Sequence, residues 1–241
     1  DPEFYQYALG ITRAIPSEET LRQRMDDIGS SMREKILSEN VEMLHSNGIV
    51  PGRLPSGYVP VDIDVTPFDN SKTKKEGVSR TYKGYDGYAP IMAYIGTEGY
   101  LVNAELREGK QHCQNHTPEF LRETLRLCKQ ITKEPLLVRL DSGNDAVENI
   151  GILLEEGCRF IIKRNLRRES KEEWFAMAQK YCRNITQPRE GKTVYTGSDW
   201  KEVSYTAEDG TQKAVTIRIG YEITERTIDK YGQFLLPAEL E

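Results

Sequence analysis

Between residues 17 and 48 the apolar positions follow a helix. Leu21, Met25, Ile28, Met32, Ile36, Val41 and Leu44 recur at mostly three-to-four spacing, the repeat of one helix face. Pro16-Ser17 supplies a stop and an N-cap, and Glu18 and Glu19 follow where the helix dipole favours acids. The run ends near Gly48, with Gly29-Ser30-Ser31 as a candidate break into two helices. Residues 48–57, rich in Pro and Gly, read as a linker.

From Tyr58 the period shortens to that of strands. Strands are predicted over 58–66, 88–95 and 99–106, then a helix over 117–131 with Phe120, Leu121, Leu125 and Cys128 on one face. A strand at 135–141, a helix near 145–156 carrying Val147, Ile150 and Leu154, and a strand at 158–163 complete the unit. Near-continuous apolar runs at 136–140 and 160–162 predict strands covered on both faces, as in a parallel sheet. After Arg168 the pattern changes again. Residues 170–183 fit an amphipathic helix around Trp174, Phe175, Met177 and Tyr181, and short β-type runs follow. A hairpin turn is predicted at Glu208-Asp209-Gly210-Thr211, between 201–207 and 212–224. The chain thus divides into an N-terminal helical region with linker (1–57), an α/β core (58–168) and a β-rich region (169–241).

Two strands end on acids. In Val61-Asp62-Ile63-Asp64-Val65-Thr66 the alternation puts Asp62 and Asp64 on one face, roughly 7 Å apart, where they repel by about 2 kcal/mol. Leu136-Leu137-Val138-Arg139-Leu140-Asp141-Ser142-Gly143 delivers a third carboxylate at its end. A divalent cation makes such a cluster tolerable, so a metal site is the sharp expectation. The plainer readings stay open. Asp141 before Ser142-Gly143-Asn144 also fits the start of a capping turn, and Asp62 fits a pairing with Lys or Arg better than direct ligation. Asp69 and Asp145 read as surface or capping residues. Arg139 is expected to pack against a helix.

With 241 residues the chain is long enough for a full core, and no apolar stretch approaches the length that spans a bilayer. It opens on Asp1-Pro2-Glu3-Phe4, without an initiator Met or a signal-peptide pattern, and reads as a piece of something longer. Cys113, Cys128, Cys158 and Cys182 form no CxxC pair, as expected for reduced cytoplasmic thiols. A net charge of −5 argues against a nucleic-acid partner, but its distribution does not. Residues 72–83 carry Lys72, Lys74, Lys75, Arg80 and Lys83 against Glu76 alone. Residues 163–171 carry Lys163, Arg164, Arg167, Arg168 and Lys171 against Glu169 alone. Each basic segment follows one acidic strand end, which points to a polyanion as strongly as to a merely solvated face.

Three strands, then helix, strand, helix, strand, with Asp on the first and fourth strands, is the order of the ribonuclease-H-like fold. The stretches Asp62-Ile63-Asp64-Val65-Thr66, Tyr85-Asp86-Gly87-Tyr88-Ala89-Pro90, Leu106-Arg107-Glu108-Gly109 and Val138-Arg139-Leu140-Asp141-Ser142-Gly143 narrow it. With them the chain resembles the DDE transposases of bacterial insertion sequences, in particular the insertion-sequence 1380 group, which carries a β-rich insertion before its last catalytic helix. The resemblance implies a mixed sheet flanked by helices, with Asp64 and Asp141 as the first two members of an Asp-Asp-Glu triad and Asp62 as a further candidate ligand. It implies Mg2+ or Mn2+, two ions in the intact enzyme, and metal-dependent cleavage and transfer of double-stranded DNA at ends bearing terminal inverted repeats. It also implies a homodimer holding two ends, in the bacterial cytoplasm at the nucleoid, with no membrane partner. No Tyr-x-x-Arg-x-x-x-Glu spacing occurs near the end, since Thr224 stands at the Arg position counted from Tyr221. Glu222 and Glu225 lie in a β-type run, so the third acid is expected beyond Glu241 and the piece alone is expected to be inactive.

Lys163, Arg164, Arg167 and Arg168 are the expected contacts to the DNA backbone, joined by Lys72, Lys74 and Lys75 and, from the loop after the third strand, Arg107 and His112. His112, Cys113 and His116 are too few for a zinc site. Tyr82, Tyr85 and Tyr88 are expected as hairpin and core aromatics in preference to base-stacking groups. Two other functions remain in view: a DNA-binding remnant without catalysis, and a nuclease of the same fold that hydrolyses without joining.

Overall fold

A computed structural model of the chain describes residues 2–10, 14–166 and 169–241. A short helix, α1 (Pro2–Leu9), precedes α2 (Glu18–Ser46), which begins on Ser17, whose Oγ accepts from the Thr20 amide at 3.2 Å. The helix runs through Gly29 without a break. Its apolar positions do not form one buried face: Leu37, Val41 and Leu44 enter the core, whereas Leu21, Met25, Ile28 and Ile36 are exposed. At 1.5 Å per residue the helix is about 43 Å long, and its first half outreaches the sheet it packs on. Arg33 marks the boundary. Its guanidinium donates to the Ala104 carbonyl and the Asn103 side chain, each at 2.8 Å, and pairs with Glu123 at 2.7 Å.

The strands that follow are β1 (Val59–Val65), β2 (Phe68–Asp69), β3 (Ser79–Arg80), β4 (Asp86–Tyr88), β5 (Ile91–Ile95) and β6 (Tyr100–Glu105). Then come α3 (Thr117–Ile131), β7 (Leu136–Leu140), α4 (Val147–Glu155) and β8 (Arg159–Ile162). The main sheet has the order β6-β5-β1-β7-β8. β1 is antiparallel to β5 and parallel to β7, β5 is antiparallel to β6, and β7 is parallel to β8. Three antiparallel strands extended by two parallel ones make the mixed sheet of the ribonuclease-H-like fold. The single strand predicted over 88–95 is divided at Ala89-Pro90, because proline brings no N–H to the ladder. Tyr88 instead belongs to a small sheet of order β2-β4-β3, which the pattern did not announce.

One face of the main sheet is packed. Val61, Ile63, Ile91, Ala93, Ile95, Val138 and Leu140 meet Phe120, Leu121, Leu125 and Cys128 of α3, Leu153 of α4, and the buried end of α2. Burial of the Cys128 thiol pushes its pKa up to about 12. The opposite face carries Asp62, Asp64, Tyr94, Leu101, Arg139 and Ile161, with Leu101 and Ile161 40% and 58% exposed. The expectation that both faces are covered is therefore corrected. The crossovers β6–α3–β7 and β7–α4–β8 advance the same way along the sheet, so right-handed connection sends both helices to the same side.

The last region comprises α5 (Lys171–Tyr181) and the strands β9 (Asn184–Arg189), β10 (Lys192–Thr206), β11 (Gln212–Ile228) and β12 (Phe234–Leu240), in a sheet ordered β12-β11-β10-β9. The predicted turn is present, closed by Ala207 N to Thr211 O at 2.8 Å, with Gly210 at φ +83°. Near this turn the hairpin rests on α4: a Cβ at Gly151 would lie 2.5 Å from Cδ2 of buried Tyr205. Lys213–Glu155 and Arg122–Glu208 pairs at 3.3 and 3.4 Å flank the contact. Among the described residues no helix is long and apolar enough to cross a membrane.

Candidate active site

β1 and β7 run side by side in a register from Val59↔Leu136 to Ile63↔Leu140. The next residues are Asp64 and Asp141. Asp141 keeps an extended backbone (φ −76°, ψ 176°), so both carboxylates lie at neighbouring strand ends on the open face. Adjacent strands are about 4.8 Å apart, and two charges at that spacing repel by about 3 kcal/mol at an effective dielectric of 20. Both residues are exposed.

Their hydrogen bonds are local. Asp64 Oδ1 accepts from the Val65 amide at 2.8 Å. Asp141 Oδ1 accepts from the Gly143 amide at 3.1 Å and Asn144 Nδ2 at 2.8 Å. Cys113 holds the same turn from across the cleft, its Sγ donating to the Gly143 carbonyl at 3.0 Å, and Asn149 donates to the Asn144 carbonyl at 2.9 Å. The capping-turn reading and the ligand reading of Asp141 are thus compatible: capping uses one carboxylate oxygen and aims the other. Two such carboxylates are a hard-oxygen donor set, which fits a magnesium or manganese ion that takes its remaining ligands from water and phosphate. Among the described residues no group of three or more His, Cys, Asp and Glu side chains is placed to hold a metal.

Asp62 is engaged elsewhere. Arg139 Nε and Nη2 donate to its two oxygens, each at 2.5 Å. These bonds, foremost among the causes, raise the Arg139 pKa above its usual value. The expected pairing of Asp62 with a basic residue is thus made by Arg139, and Arg139 lies on the open face rather than against a helix.

A cleft of about 580 Å³ opens beside Asp141, lined among others by Val65, Thr81, Tyr82, His112 and Asn165. His112 is exposed there, with Nδ1 accepting from the Gln114 amide at 3.2 Å. Tyr85 and Tyr88 are structural as expected, donating to the carbonyls of Pro67 and Glu76 at 3.0 and 2.5 Å. Tyr82 is not. It is 70% exposed in the cleft, and its phenol pKa is raised, first by desolvation and then by the charges of Asp64 and Asp141. The sequence carries no local signal that separates it from the other two.

The basic residues divide. Lys72, Lys74 and Lys75 are exposed on the connection from β2 to β3, and Lys163 is exposed just after β8, its amide bonded to the Leu140 carbonyl at 3.1 Å. Arg164 is occupied by Asp145, at 3.2 Å, and by Glu169. Arg107 corrects the expectation of a DNA contact. It is 3% exposed and donates to Glu105 at 2.6 Å, the Cys113 carbonyl at 3.0 Å and Thr117 at 3.1 Å, tying the loop after β6 to the start of α3. Arg167 and Arg168 lie outside the described residues.

The family described as Transposase DDE domain group 1 matches residues 9–228. The chain belongs to this family. The matched stretch takes in every strand of the sheet that bears Asp64 and Asp141. Among solved structures, the chain is similar to one described as a piggyBac transposase synaptic complex with hairpin DNA, at 15% identity and a TM-score of 0.30. That match takes in 79% of this chain and 40% of the other, so the matched part spans less than half of that relative. No curated protein matches the chain.

Proposed function

We propose that this DDE domain binds a divalent cation at Asp64 and Asp141 and serves metal-dependent cleavage and transfer of DNA strands. The observation that carries the proposal is the parallel β1–β7 pairing, which sets two exposed carboxylates abreast, with Asp141 lining the cleft beside them. Magnesium or manganese held there would polarise a phosphate oxygen and ease deprotonation of an attacking water or 3′-hydroxyl. The residues of the chain do the rest. Asp64 and Asp141 supply the negative charge, the Gly143 and Asn144 donors fix the Asp141 rotamer, and exposed Lys163 offers a phosphate contact beside the strand ends. The substrate is double-stranded DNA with terminal inverted repeats, and two copies of the chain hold two ends. The narrower placement in the insertion-sequence 1380 group, the division near residues 57 and 168, and a place at the bacterial nucleoid belong to the same reading. The placement and the division are supported by the motifs around Asp64 and Asp141 and by the β-rich region after β8.

Calorimetric titration with manganese tests the site. The wild-type chain is expected to bind in the millimolar range, with Asp64→Ala and Asp141→Ala each removing the heat while leaving the unfolding transition in place. Equal heats from all three proteins would sink the proposal.

A further inference from the structure

Tyr82 sits on a turn that is built, not loose. Thr81 is buried, and both its amide and its hydroxyl donate to the Tyr85 carbonyl, at 2.9 and 2.8 Å. Gly84, at φ +88°, closes the turn with its amide on the Thr81 carbonyl at 3.0 Å. Tyr85 in turn anchors to the Pro67 carbonyl, three residues beyond Asp64. The result is a fixed tip that presents a large ring to solvent beside the carboxylate pair. Lys83 Nζ lies 5.4 Å from the ring centroid, and Arg80 and Lys110 line the same cleft. Each of the latter two is in an exposed pair with an acid, Asp86 at 3.8 Å and Glu108 at 3.3 Å, that a phosphate can replace. A ring left 70% exposed contributes little to folding, and what sets it apart from other exposed rings is the fixed turn beneath it and the carboxylates beside it.

We propose that the Tyr82 ring is a stacking platform for an unpaired nucleobase of the DNA strand whose phosphate lies at Asp64 and Asp141. The inference rests on the function proposed above and adds the form of its substrate. Within a duplex both faces of a base are covered by its neighbours. Away from a duplex end, a ring at this site therefore finds a free π-face only where the strand has left the helix. Arg80, Lys83 and Lys110 suit the backbone of that strand, because single strands are held by a positive groove interleaved with aromatic faces. Stacking asks nothing of the hydroxyl, which fits a phenol for which, among the described residues, no hydrogen-bond acceptor is seen.

The test uses the full chain and two oligonucleotides in calcium: a blunt duplex, and the same duplex ending in a three-nucleotide unpaired tail that carries 2-aminopurine. Wild type is expected to quench the 2-aminopurine fluorescence and to prefer the tailed DNA. Tyr82→Ala should lose the quenching and about tenfold in affinity for tailed DNA, with blunt-duplex affinity unchanged, whereas Tyr82→Phe and Tyr82→Trp should behave as wild type. Tailed-DNA affinity unchanged in Tyr82→Ala overturns the inference, as does a loss in Tyr82→Phe equal to that in Tyr82→Ala. Neither result touches the metal titration, which decides the function independently. A wild-type chain that binds neither DNA nor manganese overturns both.

Discussion

The carboxylate pair depends on small residues around it, Gly143 most of all. A Cβ there would stand 2.6 Å from Cys113 Sγ and 3.3 Å from Asp141 Oδ1. Gly143→Ala should therefore push the turn away from Cys113 and turn the Asp141 carboxylate, costing about 1–3 kcal/mol as an overpacked contact and weakening manganese binding. Removing the sulfur should make room. A double-mutant cycle with Cys113→Ala is expected to recover most of both losses, and strict additivity of the two substitutions would show that sulfur is not the obstacle. The position of Asp64 and Asp141 at strand ends was legible in the sequence because strand alternation and the end of an apolar run are local facts. The fates of Asp62 and Arg107 were not. Asp62 is claimed by Arg139 from a strand 77 positions away, and Arg107 is buried by a loop and helix that follow it in the chain.

At the scale of elements, period and caps located α2, α3, α4 and all five main strands, since each depends on its own residues. Which face is covered depends on crossover direction, so the open face of the sheet was missed, as was the exposed first half of α2. Beyond the buried Leu37, Val41 and Leu44, α2 is held by Arg33 on Glu123. Burial raises the Glu123 pKa, but hydrogen bonds from Arg33 and Asn103 outweigh it and hold the group below its ordinary value of 4.5. A depressed carboxylate stabilises the fold above its unfolded pKa, and that contribution disappears as pH falls through the folded one. Glu123→Gln should accordingly cost about 1 kcal/mol at neutral pH, the upper range for a partly exposed pair. By urea denaturation the gap from wild type should narrow as pH falls below 4.5 and close once the folded carboxylate has taken up its proton. A gap of constant size across that range would mean that shape, not charge, makes the contribution.

In the whole molecule, the core and the β-rich region meet where Tyr205 crosses Gly151. A methyl group at Gly151 would lie 2.5 Å from Cδ2 and 2.9 Å from Cγ of the ring, close to its fixed end, where rotation gives little relief. Alanine is the better helix former, by about 0.8–1.0 kcal/mol, yet Gly151→Ala should loosen the hairpin. Trypsin is expected to cut faster at Lys163, Arg164 and Lys171 in the segment joining the two parts, with the core strands still protected. Unchanged cleavage would place the hold between the parts in the Lys213–Glu155 and Arg122–Glu208 pairs instead.

The β1–β7 pairing has one more consequence. Asp62–Arg139 and Asp64–Asp141 share the same offset along the chain, so an attracting pair lies one pleat behind a repelling one. A slip of one residue would break the ion pair and send Asp141 through the sheet to the packed side. The two acids are thus matched as teeth of a gear are: alignment is whole or absent, with nothing between. Length can vary in the exposed loops between elements, while a single residue gained or lost inside β1 or β7 would erase the site at a stroke.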